Sequence, residues 1–206
     1  MIYEFRTYTI VPRSLPEVLK RFGDAIEARQ KISPLAAFWY TEIGPLNQII
    51  HVWPYENALE RTKLREAAVK SGGWPPKVHD YLIDMQSEIL TPLPYSPPLA
   101  PCDLGPIYEM RSYTLKPGGI PDMAARWKEA LPERTKISPL AGVFTSEIGA
   151  LNKWVHIWPY KSLQHREETR KAAIATGKWP PGSGGPSMTI RQENKIMLPA
   201  PFSPMK

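Results

Sequence analysis

Two histidines are the side chains best suited to acid–base chemistry in this sequence. His51 and His156 each stand two positions before a tryptophan, in the repeated motif His-x-Trp-Pro-Tyr. An unperturbed imidazole exchanges its proton near neutral pH, so both histidines are candidate general bases. The alternative interpretation is a strand histidine that is hydrogen-bonded inside a polar core.

Side chains that could bind a small organic molecule recur beside these histidines. A guanidinium can hold a carboxylate through two parallel hydrogen bonds, and indole rings can form apolar walls. We predict ligand contacts from the same four residue types in each half of the chain: Arg6, Tyr8, Glu42 and Trp53, and Arg111, Tyr113, Glu147 and Trp158. The alternative is an internal salt-bridge network, in which Arg6 pairs with Glu4 or Glu42 and fixes the strand register.

These residues recur because the chain is an internal duplication. Shifting the sequence by 105 positions aligns residues 2–76 with residues 107–181, and 34 of the 75 aligned pairs are identical. After the Trp-Pro-Pro motif at residues 74–76 the shift is 107, which predicts a two-residue insertion near Gly182 to Gly185. We predict a first domain at residues 1–98, a proline-rich linker at 99–106 and a second domain at 107–206.

Each copy has the pattern strand, helix, two strands, helix, strand. Tyr3 to Ile10 alternates like a half-buried strand, and Pro16 is typical of the first turn of a helix. Asn57 can cap a second helix. The order βαββαβ is the ferredoxin-like arrangement, so we expect an α+β fold.

Period-two alternation separates the strand residues into two faces. One face carries charged and aromatic side chains, namely Glu4, Arg6, Tyr8, His51 and Trp53, and the other is aliphatic, with Ile50 and Val52. We expect the helices to cover the aliphatic face. The polar and aromatic face would then close against the other copy and form the lumen of a barrel.

Both copies resemble the NIPSNAP family of the dimeric α/β-barrel superfamily. The resemblance rests on Tyr3-Glu4-x-Arg6-Thr7-Tyr8, on Glu42-Ile43-Gly44-Pro45-Leu46-Asn47, on its counterpart Glu147-Ile148-Gly149-x-Leu151-Asn152, and on Arg191-Gln192-Glu193-Asn194. It implies tandem ferredoxin-like units that form, or contribute to, a dimeric α/β barrel. The first copy departs at Asp84-Met85-Gln86-Ser87, which would weaken it if that segment serves a ligand.

The remaining sequence excludes several classes of function. The net charge of +6 is scattered rather than clustered with aromatic residues, so we expect no nucleic-acid partner. One cysteine, Cys102, leaves no cysteine zinc site, and we expect neither a metal nor a cofactor. Gly182-Ser183-Gly184-Gly185 lacks the Lys-Ser/Thr of a phosphate loop. With no apolar run of transmembrane length, a cytoplasmic protein without a membrane partner is expected.

The leading functional hypothesis is that a small, partly apolar organic molecule binds in the barrel. Cofactor-independent oxygenase or isomerase chemistry is what other members of the superfamily imply by analogy. The alternative is a non-enzymatic protein-interaction module with a filled core, and the sequence leaves open whether the protein is an enzyme. We expect either a homo-oligomer or an intrachain pseudo-dimer.

Overall fold

Each copy folds as the expected βαββαβ unit. The computed structural model describes residues 1–182 and 187–206. The first copy consists of β1 (Ile2–Ile10), α1 (Leu15–Gln30), β2 (Ala37–Ile43), β3 (Gln48–Tyr55), α2 (Ala58–Lys70) and β4 (Leu82–Pro92). The second consists of β5 (Ile107–Leu115), α3 (Ile120–Thr135), β6 (Gly142–Ile148), β7 (Lys153–Tyr160), α4 (Leu163–Ala175) and β8 (Thr189–Pro199).

Local sequence signals explain where these elements begin and turn. Pro16 lies in the first turn of α1, where its missing N–H is not needed. The Asn57 side chain accepts a hydrogen bond from the Glu60 backbone N–H at 3.0 Å, as expected of a helix cap. In the β2–β3 turn, Gly44 (φ 112°) and Asn47 (φ 55°) occupy left-handed backbone conformations.

The eight strands close into one barrel within a single chain. Their order around the barrel is β1, β3, β2, β8, β5, β7, β6, β4, with every pairing antiparallel. Each copy supplies four neighbouring strands, and the two copies meet where β2 pairs with β8 and where β4 pairs with β6. The chain is therefore an intrachain pseudo-dimer. The predicted division at residues 1–98, 99–106 and 107–206 remains a proposal, because both copies share this barrel.

The lumen of the barrel is apolar and filled, which corrects the expected assignment of the two sheet faces. Ile50 and Val52 lie in a buried cluster that includes Tyr108, Met110 and other strand residues of the second copy. Rings from the two copies meet inside it, with Tyr3 and Phe144 centroids 5.3 Å apart. The aliphatic face therefore lines the lumen instead of packing beneath the helices.

The polar and aromatic face lies under the helices. Tyr8 and Trp53 belong to a buried cluster with Val18, Phe22 and Ile26 of α1. Alternation correctly grouped the residues that share a face, but it does not reveal which face the helices cover. Here the long arginine side chains of α2 reach the sheet and neutralise its buried carboxylate, so a charged face can be covered.

The two copies meet at two seams, one where β4 pairs with β6 and one where β2 pairs with β8. These seams differ in charge. Across one seam, Lys153 Nζ contacts both carboxylate oxygens of Glu88, at 2.8 and 2.6 Å. At the other seam, the equivalent pair is Lys195 Nζ and Gln48 Oε1, 2.7 Å apart. Two identical second copies would place Lys153 opposite Lys195 and repel each other. The charges at the two seams therefore favour the pairing of a first copy with a second copy over the pairing of two second copies.

Reversing one seam charge tests this account. Lys153→Glu would face Glu88, and we expect a loss of roughly 1–3 kcal/mol in the free energy of unfolding, within the range of coupled charge pairs. The double variant Lys153→Glu with Glu88→Lys restores the pair and should recover most of the loss in urea denaturation. Lys171→Glu, on the exposed helix pair with Glu167, is the control and should change little. If the change in unfolding free energy of the double variant equals the sum of the changes in the two single variants, the proposed pairing of Lys153 with Glu88 is wrong.

The predicted linker packs along the protein rather than hanging free. The Leu99 backbone N–H donates to the Tyr3 hydroxyl at 3.3 Å, and Cys102 forms an isolated bridge with Met205 near the C-terminus. The predicted insertion, and with it the glycine-rich segment excluded as a phosphate loop, lies largely outside the described residues, since 183–186 are not included.

Candidate functional site

A buried glutamate at the start of β1 gathers arginines from the sheet and from α2. Glu4 is completely buried, and its Oε1 accepts hydrogen bonds from Arg6 at 2.7 Å, from Arg61 at 2.6 Å and from Ser87 at 2.7 Å. Arg65 approaches the other carboxylate oxygen at 3.5 Å. The sequence-based hypothesis of an internal salt-bridge network is confirmed for Glu4 and Arg6.

These contacts fix the carboxylate in its charged form. Burial alone would raise the pKa of Glu4, but the hydrogen bonds from Arg61 and Ser87 and the charges of Arg65 and Arg6 outweigh it. The pKa of Glu4 falls to about 2. Arg61 and Arg65 therefore reach from α2 to the sheet.

The second copy repeats the cluster with one change of donor. Glu109 Oε1 accepts from Arg111 at 2.9 Å and from Arg166 at 2.6 Å, while Arg170 lies 3.9 Å from Oε2. Asn194 donates at 3.2 Å where the first copy uses Ser87. Burial opposes ionisation here too, and the arginines again lower the pKa of Glu109. The sequence departure at Ser87 therefore preserves the hydrogen bond to the carboxylate.

Each histidine is buried, neutral and held by its neighbouring tryptophan. The Trp53 indole N–H donates to His51 Nδ1 at 2.7 Å, and the Trp158 indole N–H donates to His156 Nδ1 at 2.6 Å. Burial, together with the positive charge of Arg6 at His51 and of Arg111 at His156, lowers the pKa of each imidazole well below its ordinary value.

The indole contact also fixes the tautomer. Because Nδ1 accepts a hydrogen bond, the proton of the neutral ring lies on Nε2. His51 Nε2 and His156 Nε2 are buried and have no hydrogen-bond partner among the described residues. Each ring therefore has an unused hydrogen-bond donor, and this arrangement favours hydrogen-bond donation over proton abstraction.

A buried arginine near the end of the first helix of each copy has no carboxylate partner. Arg29 and Arg134 are 2% and 3% exposed, and neither lies within ion-pair distance of a carboxylate among the described residues. Arg29 stacks over the Trp53 ring at 4.3 Å, and Arg134 stacks over the Trp158 ring at 4.1 Å. Burial lowers the pKa of both guanidiniums, which remain cationic.

These side chains line two pockets between the sheet and the helices. The pocket of the first copy has a volume of about 360 Å³, and that of the second about 410 Å³, sizes that suit a small organic molecule. Three guanidiniums, one imidazole and two indoles occupy equivalent positions in the two pockets. The first contains Arg6, Arg29, Arg65, His51, Trp53 and Trp74, and the second contains Arg111, Arg134, Arg170, His156, Trp158 and Trp179. Outside this shared set, His79 lines the first pocket, and Arg126 and Trp127 line the second.

Most of the residues predicted to bind a ligand lie together in these pockets, outside the lumen. Arg6 donates to the Tyr8 hydroxyl, and Arg111 donates to the Tyr113 hydroxyl at 2.9 Å. Glu42 and Glu147 do not join them. Both are exposed at the ends of β2 and β6, because the strand register carries them past the helices.

Sequence reasoning missed the helix arginines and the second tryptophan of each pocket. A signal for Arg29 was present, since it ends the buried stripe of α1 that includes Val18, Phe22 and Ile26. An arginine on the apolar stripe of a helix needs a reason to be buried. Trp74 also had a signal, because it repeats as Trp179 in the motif Trp-Pro-Pro.

In the described ranges 1–182 and 187–206, no group of three or more His, Cys, Asp or Glu side chains could hold a metal ion. None of the helices in that part of the chain is both long and apolar enough to cross a membrane.

Fold and pockets together define a dimeric α/β barrel whose two halves are joined in one chain. The sequence profile of the NIPSNAP family matches residues 3–97 and 108–204. Protein NipSnap homolog 3A of Homo sapiens is 30% identical over 219 residues, which cover 100% of this chain and 86% of that protein. Protein NipSnap of Drosophila melanogaster is 30% identical over 218 residues, covering 99% and 78%. The chain belongs to the NIPSNAP family.

Solved structures similar to the whole chain confirm the expected fold. A monooxygenase-like protein of Lactobacillus acidophilus superposes with a TM-score of 0.63 over 96% of this chain and 92% of that one, at 12% identity. An anthrone oxidase-like protein gives a TM-score of 0.55 over 96% and 90%, at 11% identity. At such identities the likeness concerns the fold alone.

Proposed function

We propose that each half of the protein binds a small organic anion, a carboxylate with an apolar or aromatic body, in the pocket between sheet and helices. The observation that carries the proposal is the buried guanidinium of Arg29, repeated as Arg134, which has no carboxylate partner among the described residues. A buried charge without a counter-ion is costly. Stacking on an indole and a hydrogen bond to a neutral hydroxyl compensate only part of that cost. A bound carboxylate would supply the missing counter-ion.

The charges around the pocket favour the same class of ligand. In the first half, Arg6, Arg61 and Arg65 approach one carboxylate, that of Glu4. Arg29 adds a fourth guanidinium beyond ion-pair distance of that carboxylate. The excess positive charge is partly buried, where it is screened less than at a surface. The same imbalance at Glu109 in the second half supports a common binding mode for the two pockets.

The histidines would complete the recognition of the ligand. Within the described part of the chain, the Nε2–H of His51 and of His156 is a buried donor without a partner, and leaving such a group unsatisfied is unfavourable. A ligand oxygen would satisfy it. The general-base role expected for these histidines remains a prediction. In the tautomer that the indole contact implies, the ring would first act as a hydrogen-bond donor.

The aromatic residues define the rest of the ligand. In the first pocket, Trp53 and Trp74 meet edge to face with centroids 5.6 Å apart, and Phe22 lies 5.6 Å from Trp74. Such walls suit a planar or hydrocarbon body. The filled lumen would fit the alternative of a protein-interaction module, but pockets of this size on the other side of the sheet favour a ligand.

Chemistry on the bound molecule is a further step. Cofactor-independent oxygenase or isomerase activity, which the superfamily resemblance implies, would use the same pocket, with the imidazole donor facing the substrate. Binding of the small molecule can be tested without knowing the reaction.

Titration with benzoate tests the proposal, because it combines a carboxylate with a flat apolar body. The indole N–H groups of Trp53 and Trp158 each donate to a pocket histidine, so their proton resonances report on the two pockets separately. We expect both resonances to shift and saturate with sub-millimolar to millimolar benzoate, as befits a fragment-sized ligand. Benzamide, which has the same shape without the charge, should bind at least about 10-fold more weakly.

The indole of Trp39 provides the internal control, since it lies in the lumen cluster away from both pockets. Its resonance should stay unchanged throughout the titration. If neither pocket indole responds to benzoate, or if benzamide binds as well as benzoate, the proposed binding of organic anions is wrong.

A further inference from the structure

The two pockets share three arginines, one histidine and two tryptophans at equivalent positions but differ along the wall formed by the last strand of each copy. In the first pocket this wall is apolar, with Leu82 and Met85 of β4. In the second pocket the equivalent residues, 107 positions later, are Thr189 and Gln192 of β8. A duplicated site has therefore acquired two different linings.

The difference lies next to the groups that would hold the ligand's acid. Met85 is paired across the sheet with Tyr8, whose hydroxyl accepts from Arg6. Gln192 is paired with Tyr113, whose hydroxyl accepts from Arg111. At this position the first pocket offers a thioether, which is a weak acceptor. The second offers an amide with two donors and one acceptor.

A second change brings a guanidinium to one pocket only. In the first copy, contacts with Tyr81 hold the Arg21 side chain outside the first pocket. Its guanidinium stacks at 5.0 Å on the Tyr81 ring, donates to the Tyr81 hydroxyl at 3.4 Å and donates to the Lys77 carbonyl. Arg21 does not line the first pocket.

In the second copy, the position of Tyr81 is occupied by Met188, which offers neither a ring face nor a hydroxyl. The arginine equivalent to Arg21 is Arg126, and it lines the second pocket beside Thr189, with Asp122 as its ion-pair partner at 2.8 Å. The second pocket thus gains a guanidinium donor as well as an amide and a hydroxyl.

We propose that the two pockets take different organic anions. The first would bind a carboxylate with a hydrocarbon or unsubstituted aryl body, and the second a carboxylate whose body carries oxygen substituents such as hydroxyl groups. This inference rests on the proposed function and refines it. Beside Leu82 and Met85, an added hydroxyl would gain no strong hydrogen-bond partner from the strand wall. In the second pocket Thr189, Gln192 and Arg126 can hydrogen-bond to it.

A paired titration tests the difference, with the Trp53 and Trp158 indole resonances reporting each pocket in the same sample. The probes are benzoate and its 3-hydroxy and 4-hydroxy derivatives. We expect Trp53 to report the tightest binding for benzoate. Trp158 should report the tightest binding for one of the hydroxybenzoates. The two preferences should differ by roughly 10-fold, the effect of about one hydrogen bond gained or one hydroxyl left unsatisfied.

Exchange variants assign the preference to the strand wall. Leu82→Thr with Met85→Gln should turn the first pocket toward hydroxybenzoates, and Thr189→Leu with Gln192→Met should turn the second toward benzoate. Gln86→Glu is the matched control, because it copies Glu193 of the second copy at a β4 position outside the first pocket. It should leave both preferences in place.

The outcomes separate this inference from the proposed function. If both pockets bind benzoate but show the same preference, or if the exchange variants leave the preferences unchanged, the selectivity inference is wrong and anion binding stands. If neither indole responds to any of the three carboxylates, both proposals fail.

Discussion

Replacing Glu4 by glutamine is expected to destabilise the protein by about 3–5 kcal/mol, the range found when one member of a buried ion pair is removed. The amide would leave Arg6, Arg61 and Arg65 facing one another around a site that is completely buried at the carboxylate. The loss can be measured as a lower free energy of unfolding in urea at pH 7.

The same carboxylate makes stability depend on pH in a defined direction. The pKa of Glu4 falls from an ordinary value of 4.5 to about 2 on folding, so the unfolded chain binds a proton more readily than the folded one. The stabilisation is fully present above about pH 4.5 and is lost as the pH falls towards 2. A shift of this size corresponds to about 3 kcal/mol, because each pKa unit represents about 1.4 kcal/mol.

The variant and the acid titration check each other. Glu4→Gln removes the titrating group, so its stability difference from the wild type should shrink as the pH falls from 4.5 towards 2. Glu109→Gln is the counterpart in the second half and should behave in the same direction, since the pKa of Glu109 is also lowered. Glu27→Gln, on an exposed helix pair with Lys31, is the control and should cost little. A constant difference across this pH range would contradict the assigned role of Glu4.

The sequence predicted the fold well because the duplication provides two independent copies of each signal. The shift of 105 positions identified the repeat, and alternation along the strands correctly grouped the charged and aromatic residues on one face. Every pocket residue predicted from strands β1, β3, β5 and β7 lies on that face. Glu42 and Glu147 were the exception, because they stand at strand ends beyond the cover of the helices.

Local sequence pattern alone does not show whether that face lies under the helices or lines the lumen. Both faces of a closed barrel are buried, one by the lumen and one by the helices, and a period of two does not distinguish them. The deciding feature is long-range, since Arg61 and Arg65 of α2 reach Glu4 on β1. A buried carboxylate can lie beneath a helix when the helix supplies its counter-ions, and this leaves the lumen to purely apolar packing.

The helix arginines were missed for a related reason. Arg29 follows Ile26 on the buried stripe of α1, where a hydrophobic residue is the usual occupant. Its partners are the ring of Trp53, from a different element, and the hydroxyl of Tyr55 at 3.3 Å. Such contacts become visible only when the helix is placed over the sheet.

Arg134→Gln is expected to weaken benzoate binding in the second pocket by roughly 10- to 100-fold, the effect of losing a charged hydrogen-bond donor to a carboxylate. The first pocket should keep its affinity, because it has its own guanidinium in Arg29. The Trp158 and Trp53 indole resonances measure the two affinities in one titration. The matched variant Arg29→Gln should produce the opposite pattern.

The stability of the same variants distinguishes ligand binding from a structural role. The Arg134 guanidinium stacks on Trp158, which is worth about 1–2 kcal/mol at most, and donates to Ser138 Oγ at 3.1 Å. The cost of burying its charge without a carboxylate offsets these contacts, so its net contribution to stability is small. Arg134→Gln should therefore unfold at nearly the wild-type urea concentration while its benzoate affinity falls. Arg134→Lys keeps the charge but loses the planar fork of donors, so it should bind with intermediate affinity. A large loss of stability with unchanged benzoate affinity at Trp158 would show that Arg134 serves the fold and that the pocket does not use it.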